Sequence, residues 1–257
     1  MTTGLWDREA FVEKLRAIGV RAYHDKHPFQ VAMNEGRLSR EALRGWVANR
    51  FYYQRNLPIK DAAILSNCPV REVRRIWIHR ILDHDGMDAG GRSSCDAGDR
   101  GLSGVRPSTE GGIEAWLRLG EACGLSRNEL TEDRHLQPGV RFAVDAYVNF
   151  ARTHLWPIAI ASSLTELFAP DLMATRLGAF EKFYSWIDPY GLGYFRRRVT
   201  QARRDSDEAL AITLEYCDTP ELQREALHAL EFKCDVLWSM LDAIHHTYRG
   251  SEAAAPC

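Results

Sequence analysis

Apolar residues recur at three- and four-residue intervals along almost the whole chain, and nowhere is there sustained period-two alternation joined by hairpin turns. That pattern leaves the helix as the regular structure to expect. Phe11, Leu15 and Ile18 form the first stripe, behind an acidic turn at Asp7–Glu9. Ser39 and Glu41 open a long helix through Leu43, Trp46, Val47 and Phe51, which Pro58 should end or kink. Arg71 to Asp83 carries Val73, Ile76, Trp77 and Ile81 as a buried stripe, and Ser126 with Glu129 has capping-box spacing. Helix formers run from Gly139 to Phe168, interrupted by Pro157. Thr219 before Pro220 starts a last helix through Leu227, Leu230, Val236, Leu237, Met240 and Leu241. No repeat is visible. The expected fold is all-α: one domain over residues 1–249, a compact bundle of seven to eight helices.

Two stretches depart from the pattern. Residues 86–109 are rich in Gly, Ser and Asp and nearly devoid of large apolar side chains, so they predict a mobile loop. The tail 250–257, GSEAAAPC, reads as a disordered end or the stub of a linker, one that a carrier domain could follow.

Charge and cysteine usage narrow the function classes. A formal net charge of −2 argues against a nucleic-acid partner. No apolar run approaches the roughly 18–20 residues that cross a bilayer, and the start, MTTGLWDREAFVEKL, lacks a signal-peptide pattern. A bacterial cytoplasmic location without membrane association is therefore expected. Cysteines 68, 95, 123, 217, 234 and 257 form no CxxC pair and no framework, so free, mostly buried thiols are expected. No metal constellation stands out: Glu132 and His135 give one Glu-x-x-His in a polar connection, His79 and His84 are poorly spaced, and His245–His246 is a terminal pair. A Gly-rich phosphate loop and a GxSxG elbow are both absent.

Polar groups set among aromatic ones carry the chemistry. Arg50, Tyr53 and Gln54 share one helical face, and Arg80/His84 and Tyr194/Arg198 are i,i+4 pairs. A cation beside a phenol or imidazole, repeated on several helices, suits a pocket for an anionic, oxygen-rich aromatic ligand, because Arg grips carboxylates and Tyr or His moves protons.

The stretches HPFQVAMNEGRLS (27–39), GWVANRFYYQ (45–54), KDAAILSNCP (60–69), RILDHDG (80–86), GGIEAWLRLGEA (111–122), PGVRFAVDAYVNFAR (138–152), SSLTELFAP (162–170), YFRRRVTQARRD (194–205) and FKCDVLWSMLDA (232–243) resemble, in order, the pyrroloquinoline-quinone synthase family of the haem-oxygenase-like superfamily. The resemblance implies a seven-helix bundle that forms a homodimer. Its reaction closes a ring on a bicyclic, amino-acid-derived precursor and removes eight electrons, with molecular oxygen as co-substrate and oxidant and hydrogen peroxide as product. It implies no metal and no organic cofactor. The small-molecule substrate is a polycarboxylate, and the pathway's peptide-carrier protein is a further candidate partner.

The resemblance also transfers site residues. It matches Tyr23 and His24 to the end of the first helix; Arg50, Tyr53, Gln54 and Lys60 to substrate-holding positions; and Arg80 and His84 to a pair beside the reacting centre. Tyr147, Thr165 and Glu166 fall on polar positions of the family's fifth helix, and Arg176, Tyr194, Arg198 and Lys233 complete the pocket. His84, with Tyr194, Arg198 and His24, is the expected catalytic group: His84 as general base and acid, and Tyr194 with Arg198 around oxygen. Two departures stand out. Met173 occupies a position where the family usually carries a histidine, so a proton-shuttling role there is lost or moved, with His154 as a remote substitute. Residues 86–109 exceed the family's shorter connection and are expected to be an inert insertion. Within the superfamily, a thiaminase-type hydrolase would need a cysteine nucleophile, for which Cys68 and Cys123 are the candidates. A catalytically impaired carrier of the quinone or its precursor is the non-enzymatic alternative.

Overall fold

The computed structural model describes residues 4–87 and 109–249. Most of the 86–109 segment, the 250–257 tail, Cys95 and Cys257 lie outside the described residues. In chain order the helices are α1 (Arg8–Ala22), α2 (Pro28–Asn34), α3 (Arg40–Asn67), α4 (Arg71–Asp85), α5 (Gly112–Ala122), α6 (Arg127–Thr131), α7 (Pro138–Thr153), α8 (Trp156–Ala161), α9 (Ala169–Phe183), α10 (Gly193–Tyr216) and α11 (Pro220–Thr247). Eight of these have eleven residues or more and correspond to the seven or eight expected. The short α2, α6 and α8 and three 3-10 turns, among them Ser162–Phe168, join them.

The caps read from the sequence form. Asp7 and Ser39 accept from Ala10 and Ala42 backbone N–H groups, Thr219 accepts from Leu222, and Ser126 and Glu129 make the reciprocal capping box of the five-residue α6. Pro157, expected as an interruption, lies in the first turn of α8, where its missing N–H costs nothing.

Two expectations are corrected. Of the two outcomes expected at Pro58, an end or a kink, the end does not occur: α3 continues to Asn67. An interior proline costs about 3 kcal/mol, but fourteen other residues of α3 are buried on the two sides of it, and that burial holds the helix together. On α4 the buried face is not Val73, Ile76, Trp77 and Ile81: Ile76 is 37% exposed and Ile81 is half-buried. The inward positions are Val73, Trp77, Arg80 and His84, so the stripe keeps its helical period but changes from apolar to ionisable toward its C-terminal end.

A further feature was not expected in an all-helical chain. Gly86–Met87 pairs antiparallel with Thr109–Glu110, so the ends of the 86–109 segment are held together. Gly86 makes the turn from α4 into this ladder at φ +86°, a conformation that favours glycine.

The buried apolar residues form two clusters. One is built around Trp46, Trp116, Phe180 and Phe195, the other around Leu15, Trp77, Ile158 and Leu230. Tyr53, Tyr147 and Tyr194 belong to the first, and Arg80 stacks on Trp77 of the second at 3.9 Å. The ionisable residues therefore occupy the seam between two apolar bodies, where an unpaired charge is costly. No helix among the described residues is long and apolar enough to cross a membrane.

Candidate functional site

Each helix reaches the seam by the same device, a buried face whose three- and four-residue spacing carries polar side chains for one or two turns. On α3 the face is Arg50, Tyr53, Gln54, Leu57, Lys60 and Asp61; α9 supplies Met173 and Arg176; α10 supplies Tyr194, Arg198 and Asp205; and α11 supplies Lys233 and Leu237. Tyr23 is the C-cap of α1 and His24 starts the 3-10 turn after it. Thr165 and Glu166 lie on the 3-10 turn Ser162–Phe168, and Tyr147 lies on α7.

These elements enclose a cavity of about 60 Å³. Tyr23, His24, Arg50, Tyr53, Thr165, Glu166, Met173, Arg176, Tyr194 and Arg198 line it, together with three apolar residues that sequence reasoning did not single out, Leu57, Ala169 and Leu237. The remaining expected residues, Gln54, Lys60, Arg80, His84, Tyr147 and Lys233, stand behind this wall and act on it through hydrogen bonds or charge. A groove of about 600 Å³ shares Tyr23 with the cavity, but it is more open, and its Lys26 is paired with Asp25. The enclosed cavity is therefore the better site despite its size.

Charge divides the site. Arg80 lies 2.6 Å from Glu166, and Arg198 lies 3.5 Å from Glu166 and 3.0 Å from Asp205. Arg80 also donates to the Asp205 backbone carbonyl. Lys60 donates to Asp61 at 2.5 Å and to Ser163 at 3.0 Å, and Asp61 accepts from the Trp77 indole at 2.9 Å. Asp61, Ser163 and Asp205 were not anticipated. Asp205 lies seven residues beyond Arg198 on α10, a spacing that puts the two on one face and could have revealed it. Burial works to raise the Asp205 carboxyl, but Arg80 and Arg198 outweigh it and hold it below the ordinary range. Burial raises the Glu166 carboxyl against the pull of Arg80.

The other cations have no carboxylate. Arg50 lies over the Tyr53 ring at 3.8 Å and leaves Nη1 buried without a partner. Arg176 donates to Gln30 Oε1 at 2.5 Å and approaches Met173 Sδ at 3.9 Å, while its Nε is buried and unpartnered. Lys233 Nζ sits 3.5 Å from the Tyr147 ring centre and 4.1 Å from that of Tyr53, and donates to the Tyr53 hydroxyl at 2.7 Å. Burial, then Arg50, brings Arg176 down to about 10; burial, then Arg50 and Lys60, takes Lys233 well below an ordinary lysine. Burial also holds the Tyr53 hydroxyl protonated.

The histidines are neutral. Burial, then Arg176, lowers His24 far below the usual histidine range, and its Nδ1 is unpartnered. Burial, then Arg198, does the same to His84. Gln54 Nε2 lies 2.7 Å from His84 Nδ1, and the Tyr194 hydroxyl donates to Gln54 Oε1 at 2.8 Å. His84 thus reaches the cavity wall through Gln54 and Tyr194.

Met173 stands in the wall beside Arg176, whereas His154 is exposed at the end of α7, stacked on Phe150 at 3.7 Å. His154 is therefore no substitute for an imidazole at position 173. Cys68 and Cys123 are buried, and burial raises both thiols, Cys123 to about 12, the opposite of what a cysteine nucleophile needs. Among the described residues no group of three or more His, Cys, Asp or Glu is placed to hold a metal ion.

Known proteins supply the context for this site. Relatives named pyrroloquinoline-quinone synthase are 54% identical over 96% of this chain and 91% of the protein from Pseudomonas aeruginosa (strain LESB58), and 53% identical over 93% of this chain and 88% of that from Cronobacter sakazakii. Among solved structures, a TenA homologue from Pseudomonas syringae pv. tomato superposes with a TM-score of 0.69 at 13% identity, covering 93% of this chain and 92% of that one. A domain from Shewanella denitrificans described as having a haem-oxygenase-like fold gives 0.68 at 12% identity, covering 94% and 91%. The bundle thus has the haem-oxygenase-like fold. A model of the TENA/THI-4/PQQC family matches residues 12–243, and the chain belongs to that family.

Proposed function

We propose that this protein catalyses the last step of pyrroloquinoline quinone biosynthesis: ring closure and eight-electron oxidation of the bicyclic precursor, with molecular oxygen as oxidant and hydrogen peroxide released. The observation that carries the reading is a set of cations without carboxylates at a tyrosine-walled cavity: Arg50, with Nη1 buried and unpartnered, and buried Arg176 in its wall, and buried Lys233 behind it. Leaving such charges buried is costly unless a ligand supplies the anions. The relatives named pyrroloquinoline-quinone synthase support this choice of chemistry, and the sequence resemblance implies a polycarboxylate as its substrate.

In this reading the cations hold the substrate's carboxylates and stabilise the quinol anions that reduce oxygen, in a site that excludes water. Each oxidation needs a proton taken from carbon or nitrogen. Glu166, with its raised carboxyl, lines the cavity directly, and His84 acts at one remove through Gln54 and Tyr194. Tyr194 and Arg198 face the space where reduced oxygen forms. The electrons come from the substrate once it is a quinol anion, so the reaction runs without metal or organic cofactor. A cytoplasmic homodimer completes the reading.

The test is to mix the purified protein with the bicyclic precursor in air, without added metal or cofactor, and to follow the quinone by absorbance and mass spectrometry. Quinone and peroxide are the expected products. Tight binding without turnover would favour the carrier, and no binding would overturn both readings. Parent rates in His84→Asn and Tyr194→Phe would overturn the assignment of roles.

A further inference from the structure

The side-chain amide of Gln54 is fully buried between two groups that move protons. Its Oε1 accepts from the Tyr194 hydroxyl at 2.8 Å, and its Nε2 lies 2.7 Å from His84 Nδ1. An amide has one end that only accepts and one that only donates. With Nε2 toward His84, Nδ1 must be bare, so the single ring proton of the neutral imidazole sits on Nε2. With Oε1 toward Tyr194, the phenolic hydrogen points into the protein and the phenol offers the cavity only lone pairs. Turning the amide over reverses both at once: Oε1 then requires a proton on His84 Nδ1, and Nε2 donates to the Tyr194 oxygen, freeing its hydrogen for the cavity.

The surroundings hold this arrangement in place. A side chain at Gly112, the first residue of α5, would put its Cβ 3.0 Å from Gln54 Nε2 and 3.2 Å from His84 Nδ1, so the start of α5 closes over the pair. Burial, then Arg198, with Lys60 and Arg80 adding to it, keeps the imidazole uncharged.

We propose that Gln54 is a positioning residue that couples the tautomer of His84 to the direction of the Tyr194 hydroxyl, so that the two residues switch between accepting and donating together. The inference rests on the functional reading above for the reaction it serves, but not for the coupling itself. In the resting arrangement Tyr194 accepts a hydrogen bond from the bound ligand. For the amide to turn, His84 gives up its Nε2 proton to reduced oxygen and receives at Nδ1 the proton taken from the substrate, so its charge is unchanged; Tyr194 then donates to reduced oxygen and His84 Nε2 is left bare.

Nitrogen-15 NMR of the full chain with labelled histidine tests this, with the His84 signals assigned by their loss in His84→Asn. The wild-type protein at neutral pH is expected to carry its ring proton on Nε2, with Nδ1 bare. Gln54→Glu, whose carboxylate only accepts, should move a proton onto Nδ1, and Gln54→Leu should give a mixture of tautomers. Turnover of the precursor in Gln54→Leu should fall about a hundredfold, within the range for a lost proton-transfer group, with KM changed much less. A wild-type proton on Nδ1, or the same tautomer in wild type, Gln54→Glu and Gln54→Leu, would overturn the proposal. The wild-type spectrum alone decides it if a variant fails to fold. Absence of turnover in the wild type would instead overturn the functional reading and leave the tautomer result standing.

Discussion

Where α3, α4 and α10 meet, the cations Lys60, Arg80 and Arg198 each have a carboxylate, supplied by Asp61, Glu166 and Asp205. Where α9 and α11 meet the start of the same α3 face, Arg50, Arg176 and Lys233 have phenols, an amide and aromatic rings instead. The paired side resembles a structural network, in which each charge is desolvated but compensated. The unpaired side is held at a cost, with Arg176 and Lys233 pushed toward giving up their protons. A protein that keeps three such groups in and behind the wall of one cavity is arranged for a ligand that arrives carrying the missing anions. The paired network fixes the wall and the unpaired cations select what enters.

Removing a carboxylate from the paired side should have the largest effect on folding. Asp205→Asn leaves Arg80 and Arg198 sharing Glu166 alone, and breaking a buried pair in this way costs about 3–5 kcal/mol, read as a lower denaturation midpoint. Removing a cation from the unpaired side should do the reverse. Arg176→Met takes away an uncompensated charge, so thermal stability should hold or rise, while affinity for the precursor falls by about 2–5 kcal/mol, or roughly thirtyfold or more. If both variants lost stability equally, the distinction between the two sides would fail.

Smaller effects sharpen the comparison. Ligand carboxylates should raise Lys233 back toward an ordinary lysine, so binding near neutral pH should take up protons. Calorimetry in buffers of different ionisation enthalpy reads this directly, and Lys233→Met should reduce the uptake. Acid should weaken the fold through the two neutral histidines. Because His24 and His84 titrate lower when folded, the unfolded chain binds more protons below about 6.5; their stabilising contribution is full above that pH and is lost as pH falls toward their folded values. Unfolding midpoints between pH 7 and 5 check the sign. The smallest effect belongs to Met173→His, which should shift the pH profile of turnover more than its maximum, since position 173 touches Arg176 and the cavity but no proton relay.

Most of the helices were legible because their caps and stripes agree: Asp7, Ser39, Ser126 and Thr219 each start the helix their side chains predict. The misreadings arose where tertiary burial overrode a local rule. Pro58 is carried through α3 by packing, and α4 buries Arg80 and His84 rather than Ile76 because its partners in the seam are charges. The sixteen residues singled out from the resemblance do converge, Glu166 among them, but the other two carboxylates of the paired side, Asp61 and Asp205, were not named. Asp61 looks in the sequence like an ordinary acidic residue on an exposed helix face, and Asp205 is marked only by its seven-residue spacing from Arg198; the fold shows both to be buried. Nor does spacing show that His84 stands behind Gln54 rather than at the cavity. That order depends on how closely α5 approaches at Gly112, a contact between segments distant in sequence.

The most direct test of the division between paired and unpaired cations is a crystal structure of the protein with the quinone product bound. The ligand's carboxylates should lie within about 3 Å of nitrogens of Arg50, Arg176 and Lys233, with Arg80 and Arg198 still held by Glu166 and Asp205. Carboxylates bound instead by Arg80 and Arg198, released from their acidic partners, would contradict the account.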